Sequence, residues 1–516
     1  MTFQEGTTLA RILSGALIGI DAYPVEVEVD IAQGLPQFAT VGLPEGAVKE
    51  SKDRVKSAIK NSSYDFPNRR ITINLAPADT RKEGTSFDLP MAVGLLTATG
   101  VIPVEAAARY LFMGELSLDG RIKPVRGVLP VAVAARHWPI EGLLLPAGNA
   151  EEGSLVDALP VYPVDTLGAV VDFLTGNAAL EPHRVDLEAL FAEAGRSELD
   201  FAEVRGQAHA KRALEVAAAG GHNLLMVGPP GSGKTMLARR LPTILPPQTF
   251  EEALDATKIH SIMGLLPSNE ALLTRRSFRS PHHTISDAGL IGGGTHPRPG
   301  EVSLAHNGVL FLDELPEFKK NVLEMLRQPL EDGQVCISRA AQSLTYPANF
   351  MLVAAMNPCP CGYLGDPQHD CSCTLPLLQR YRTRLSGPLL DRIDLHVEVP
   401  RVPHRELADP VDAESSATIR ARVEAARSLQ NQRLAPYGLY ANARMGARHI
   451  RKLCPLDGAG ESLLETVTDK LGLSARTYSR ILKVARTIAD LAGKEDIQQD
   501  HLAEAIQYRG LDRKMG

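Results

Sequence analysis

Eight consecutive residues, Gly228-Pro229-Pro230-Gly231-Ser232-Gly233-Lys234-Thr235, satisfy every fixed position of the pattern G-x-x-x-x-G-K-[ST]. Their chemistry is that of a phosphate cradle. The glycines let backbone N–H groups converge on phosphate oxygens, and a helix starting at the end of the loop adds positive potential there. Lys234 is placed to reach β- and γ-phosphates and the Thr235 hydroxyl to hold Mg²⁺, so ATP and Mg²⁺ are the expected ligands. A cradle alone only binds. Hydrolysis also needs metal placement, an oriented water and charge stabilisation. Asp313 and Glu314 close the apolar run 308–312; there Asp313 is expected in the Mg²⁺ shell and Glu314 beside the attacking water. Asn357 follows another apolar run, 351–355, and offers an amide to the γ-phosphate or the water. An Asn at a strand end is also an ordinary turn residue.

These groups need a common sheet. Residues 223–227 read as a buried strand and 236–241 as a helix, which is the strand–turn–helix context the pattern requires. The runs 308–312 and 351–355 supply two more strands. Upstream, 25–30 and 70–75 alternate like half-exposed strands, while 89–96 and 131–135 read as buried helices. The fold class is therefore α/β. We expect an α+β domain over residues 1–185, a parallel-sheet nucleotide module over 200–405, and a helical lid over 411–516. Polar stretches near 181–184 and 196–200 and the proline-bearing segment 400–410 mark the joints. A chain of 516 residues is too long for one core.

The net charge of −6 gives no global attraction to nucleic acid, so any such contact must be local. No apolar run is long enough to span a bilayer, and residues 1–8 lack a basic-then-apolar leader, so a cytoplasmic protein without a membrane partner is expected. Six cysteines in such a chain do not suggest disulfides. Four of them are bunched as Cys359-Pro-Cys361 and Cys371-Ser-Cys373. Four thiolates this close can enclose a tetrahedral Zn²⁺, although the C-x-C spacing is tighter than the common C-x₂-C. His369 is a spare ligand candidate. The alternative is a loop of reduced cysteines.

The set Gly228–Thr235, Asp313-Glu314 and Asn357 resembles an AAA+ ATPase, and the stretch 386–394, Ser-Gly-Pro-Leu-Leu-Asp-Arg-Ile-Asp, resembles the arginine-finger segment of its helix-2-insert branch. More closely, the runs 280–290, 357–362 and 386–394 make the whole chain resemble the YifB/ComM family of magnesium-chelatase-like ATPases. The resemblance implies that Arg392 is the finger, reaching a γ-phosphate held by the next subunit; a local pair with Asp391 or Asp394 is the plainer reading. It implies a sensor arginine at Arg476, with Arg480 one helical turn on as the competitor. The first domain resembles the proteolytic domain of Lon. Ser86 falls at the nucleophile position, but 127–132 lacks the lysine needed to activate it and Lys123 is offset, so an inactive scaffold is expected.

The resemblance further implies a homo-hexameric ring acting on single-stranded or branched DNA without sequence preference, through branch migration or helicase activity during recombination of transforming DNA. Pore elements are expected from the insert near 257–300, with Arg275, Arg276, Arg279, His282-His283 and Arg298, and from a hairpin near 335–346. In that hairpin Arg339 would touch phosphate and Tyr346 would stack on a base. The competing class is a chelatase-like or chaperone-like ATPase that remodels a protein.

Overall fold

The computed structural model describes residues 9–157, 159–194, 198–267, 270–294, 297–338, 343–403, 413–471 and 474–510. It divides into two compact units, one of residues 1–192 with 257–273 and the other of 193–256 with 274–516. Residues 257–273, expected within the pore insert, thus group with the first unit.

The first unit is built on a seven-stranded mixed sheet with the spatial order Gln37–Val41, Arg70–Ala76, Asp21–Ala32, Leu9–Ile18, Tyr110–Phe112, Gly142–Pro146 and Val161–Val164. Asp21–Ala32 and Arg70–Ala76 run antiparallel and bury alternate residues, the mark of a sheet with one covered face. Helix Asp88–Ala98 is buried nearly all round, as its apolar run predicts.

The second unit carries a five-stranded parallel sheet. Its order is Phe278–Arg279, Val309–Leu312, Met351–Met356, Leu224–Val227 and Leu395–Glu398. The three central strands are buried at every position, because helices must cover both faces of a parallel sheet. Such strands read as continuous apolar runs, which is why they are visible in the sequence.

The lid is not a separate compact unit. Helices Ser416–Leu434, Ala475–Leu491 and Gln499–Gln507 share one apolar core with the sheet and with helix Ala208–Gly220. Polar pins fix it. Asp394, wholly buried just before the last strand, pairs with Arg480 of the lid and accepts from the Asn223 N–H at 3.0 Å. His222 lies 3.5 Å from the same carboxylate and meets Thr487 of the lid at 2.8 Å. Burial raises the Asp394 carboxyl, but Arg480, His222 and Lys483 outweigh it and hold it far below the usual carboxylate range. Removing one partner of a buried pair leaves a stranded charge. Asp394→Ala is therefore expected to lower unfolding stability by about 3–5 kcal/mol, read from the urea midpoint.

Candidate functional site: a phosphate-handling edge

The carboxyl ends of three adjacent parallel strands bring the expected residues together, where open α/β sheets bind ligands. The phosphate loop leaves Leu224–Val227 and enters helix Lys234–Arg240. Gly228 is required by close approach: a Cβ there would lie 2.1 Å from the Val399 carbonyl oxygen of the neighbouring chain segment. Gly231 and Gly233 take left-handed conformations, φ 75° and 91°, turning the backbone amides inward. Ser232 is buried with its hydroxyl unpartnered.

Lys234 is largely buried, and its ammonium donates to the carbonyls of Gly228 at 2.7 Å and Pro229 at 2.9 Å and to Asn357 Oδ1 at 3.3 Å. Burial pushes this ammonium below its ordinary pKa, against the pull of Asp313 and Glu314. A triphosphate would exchange those weak carbonyl partners for charged oxygens, which favour the cation. Thr235 donates from Oγ1 to Asp313 Oδ2 at 2.7 Å, so the two groups that would hold Mg²⁺ already meet. The donor set, one hydroxyl and one carboxylate with phosphate oxygens to come, fits this hard cation. Asp313 and Glu314 follow strand Val309–Leu312 directly; Glu314 takes φ 53°, a costly left-handed turn, and its N–H donates to Asp313 Oδ1 at 2.9 Å. Asn357 follows strand Met351–Met356, and its carbonyl accepts from the Tyr381 hydroxyl at 3.2 Å.

Arg392 is elsewhere. Strand Leu395–Glu398 pairs in parallel with Leu224–Val227, with Leu395 opposite Leu224 and Glu398 opposite Val227. The phosphate loop leaves one end of this pair and Arg392 precedes the other, so the sheet separates them by on the order of 13 Å or more. The local pair with Asp391 or Asp394 is not formed. Arg392 instead pairs with Glu331 and donates to the Pro388 carbonyl at 2.7 Å, while its buried Nε has no hydrogen-bond partner. Arg392 first, with smaller pulls from Arg476 and Arg480, holds the exposed Glu331 carboxyl below its usual range. Arg480 is committed to Asp394, whereas Arg476 is exposed.

The basic residues divide. Arg276 donates to the Pro246 and Asn307 carbonyls and pairs with Glu252 at 2.8 Å; Arg279 forms a two-pronged pair with Glu301 at 2.7 Å. Both guanidiniums, expected to contact phosphate, are held by carboxylates within the protein. Tyr346 is buried in the Gln334–Ser338/Ser343–Pro347 hairpin and donates to the Pro297 carbonyl at 2.8 Å, so it presents no face for a base. Arg275 and Arg298 are exposed, and Arg339 lies outside the described residues. His369 stacks on Tyr363 at 4.9 Å and sits 3.7 Å from Asp366. The four clustered cysteines do come together, with all Sγ atoms within 4.8 Å.

Two positions carry more than the sequence revealed. His283, read only as part of a basic patch, has Nδ1 3.3 Å from Glu314 Oε2. Gln207, at φ 56°, donates to the carbonyls of Pro400 at 2.5 Å and Ser232 at 3.3 Å, tying the cradle to the chain leaving the last strand. Only the adjoining Gly206 hinted at a special turn there. In the first unit, the buried Lys82 ammonium donates to the Pro77 and Thr80 carbonyls, and among the described residues no ammonium bonds the Ser86 hydroxyl.

A five-stranded parallel sheet bearing this cradle, an Asp-Glu pair, a strand-end Asn and an attached helical lid defines an AAA+ module. The family descriptions "Magnesium chelatase, subunit ChlI", "Subunit ChlI of Mg-chelatase" and "Magnesium chelatase, subunit ChlI C-terminal" match residues 200–407, 27–149 and 413–509. The chain is 46% identical over 512 residues to the competence protein ComM of Haemophilus influenzae, covering 98% of both chains. It is 45% identical over 508 residues to the uncharacterized protein YifB of Escherichia coli, again covering 98% of both. Its N-terminal region is similar to an archaeal Lon protease of Methanothermobacter thermautotrophicus, 31% identical over 180 residues that cover 33% of this chain and 28% of that protein. The chain belongs to the ComM/YifB family of magnesium-chelatase-like AAA+ ATPases. Among the described residues no helix is long and apolar enough to cross a membrane.

Lys234→Ala is expected to weaken binding of a fluorescent ATP analogue by more than about 100-fold. Glu314→Gln should leave that affinity within about threefold while kcat falls by roughly 10²–10⁴. Unchanged turnover in Glu314→Gln would show that another group activates the water.

Proposed function

We infer that this protein works as a ring of identical subunits, in the manner of a hexamer, that hydrolyses ATP and moves along DNA. The observation that carries the ring is the position of Arg392. The sheet keeps it from its own phosphate loop, yet its guanidinium has one unpartnered donor and pairs with an exposed carboxylate. An open cleft of about 650 Å³ lies beside it, lined by Glu324, Arg327, Glu331 and Arg392 among others. A neighbour's γ-phosphate, with its greater charge, is suited to replace Glu331 there.

Within such an interface the chain's own residues divide the work. The cradle amides and Lys234 fix the β- and γ-phosphates. Thr235 and Asp313 would hold Mg²⁺, which would neutralise charge on the phosphate oxygens. Glu314 draws a proton from water as its oxygen bonds to the γ-phosphorus and the bond to the β–γ bridging oxygen breaks, leaving ADP and inorganic phosphate. Asn357 orients the γ-phosphate or the water. Arg392 and Arg476 from the neighbour stabilise the charge that develops.

DNA, single-stranded or branched and read without regard to sequence, is the substrate this reading favours, with branch migration during recombination of incoming DNA as the biological task. A relative named for competence supports it, as does the link from the segment bearing Arg275 and Arg298 to the catalytic edge through His283. His283 held on Glu314 would keep the acid from the water, and a strand bound on that segment would release it. Lon-like residues 1–185 then act as a scaffold. The internal pairing of Arg276 and Arg279 favours the second reading, a remodeller of proteins, and the DNA experiment separates the two.

Equal mixing of Arg392→Ala and Lys234→Ala subunits, each inactive alone, should restore part of the ATPase rate, because some interfaces then pair an intact cradle with an intact finger. No recovery in assemblies verified as mixed would refute an arginine acting across subunits. Forked DNA should raise ATPase several-fold at low salt and progressively less as salt screens phosphate contacts. His283→Ala should raise the DNA-free rate and shrink the stimulation ratio. A rate indifferent to every DNA structure at low salt would favour the remodeller.

A further inference from the structure

We propose that Cys359, Cys361, Cys371 and Cys373 hold one structural Zn²⁺ ion, and that this ion fixes the loop carrying Asn357 against the phosphate loop. Among the described residues this is the one group of four potential ligands with all donor atoms within 4.8 Å of one another. Cys359 and Cys361 are 3.3 Å apart, Cys359 and Cys371 3.7 Å, and Cys361 and Cys371 3.6 Å. A tetrahedral site with Zn–S bonds of about 2.3 Å has edges of about 3.8 Å. A disulfide would need about 2.05 Å, and all four cysteines are free thiols.

The backbone answers the objection raised by the tight C-x-C spacing. Left-handed glycines Gly362 and Gly365, φ 89° and 79°, reverse the chain after the first pair. Asp366 closes the turn by accepting from the Gln368 and His369 N–H groups at 2.8 and 3.2 Å. The second pair therefore faces the first. The Gly362 N–H donates to the Cys359 carbonyl at 3.0 Å, closing the turn that carries the first pair. His369 is engaged with Tyr363 and Asp366, which leaves four sulfurs as the ligand set.

The loop needs such a fastener. Residues 357–374 form no helix or strand between strand Met351–Met356 and helix Leu375–Arg382, and Cys359 is its most buried apolar side chain. Yet its position is exacting. A Cβ at Gly362 would lie 2.6 Å from Pro230 Cδ, so the loop rests directly on the phosphate cradle. Asn357, two residues before the first cysteine, touches Lys234. A crosslink among the four sulfurs would hold the amide and the cradle in register.

The test uses the full chain purified with reductant from zinc-supplemented cells. Elemental analysis should find about one zinc per protomer. The double variant Cys359→Ser/Cys371→Ser should carry less than about a tenth of that, while Cys361→His, which preserves a ligand, should retain zinc. Mercurial titration with a chromogenic zinc indicator should release the metal from the wild-type protein and weaken ATP-analogue binding by about fivefold or more, an effect of the size seen when metal-site support is lost. Less than about a tenth of a zinc per protomer in the wild type, iron in its place, or zinc that survives the double variant would overturn the assignment. Full release with unchanged nucleotide affinity would overturn its coupling to the cradle. Zinc content is measured without turnover, DNA or assembly, so this inference stands or falls apart from the ring.

Discussion

The common direction of five strands governs this molecule. Because the strands are parallel, every segment that leaves the sheet at its carboxyl edge arrives at one line in space, and every segment that enters does so at the opposite line. Lys234 and Thr235, Asp313 and Glu314, and Asn357 belong to three different strands and are far apart in sequence, yet they touch. Arg392 is closer in sequence to Asn357 than Lys234 is, yet it enters at the far edge. One topological fact thus gathers the cradle, the acid pair and the strand-end amide at one edge and leaves Arg392 at the other.

Much of this was legible. The buried parallel strands announced themselves as uninterrupted apolar runs, and the alternating strands of the first unit as period-two patterns, because burial on two faces or one leaves those different signatures. The cradle was legible because a phosphate loop demands glycines at fixed points; the Val399 carbonyl beside Gly228 shows one such demand. Helix Asp88–Ala98 was predicted from its apolar run and formed where expected.

What the sequence hid were partnerships between distant residues. A cluster of arginines reads as a patch for phosphate until the fold places Glu252 beside Arg276 and Glu301 beside Arg279. Tyr346 reads as an exposed aromatic until the hairpin turns it inward. His283 reads as one more basic residue until it meets Glu314. The lid reads as a domain because its helices have their own periodicity, but its apolar faces are completed only by the sheet. In each case local pattern named the residue correctly and tertiary pairing decided its use.

The short stretch from Arg392 to Asp394 has a mechanical meaning beyond its chemistry. Its first residue, largely buried, lines the cleft, and its last is pinned by Arg480 to the long helix Ala475–Leu491. One intervening residue is too little chain to absorb displacement. Whatever tilts that helix would carry the guanidinium with it, so this segment works as a rocker arm that couples the posture of the helix to the position of Arg392 beside the cleft.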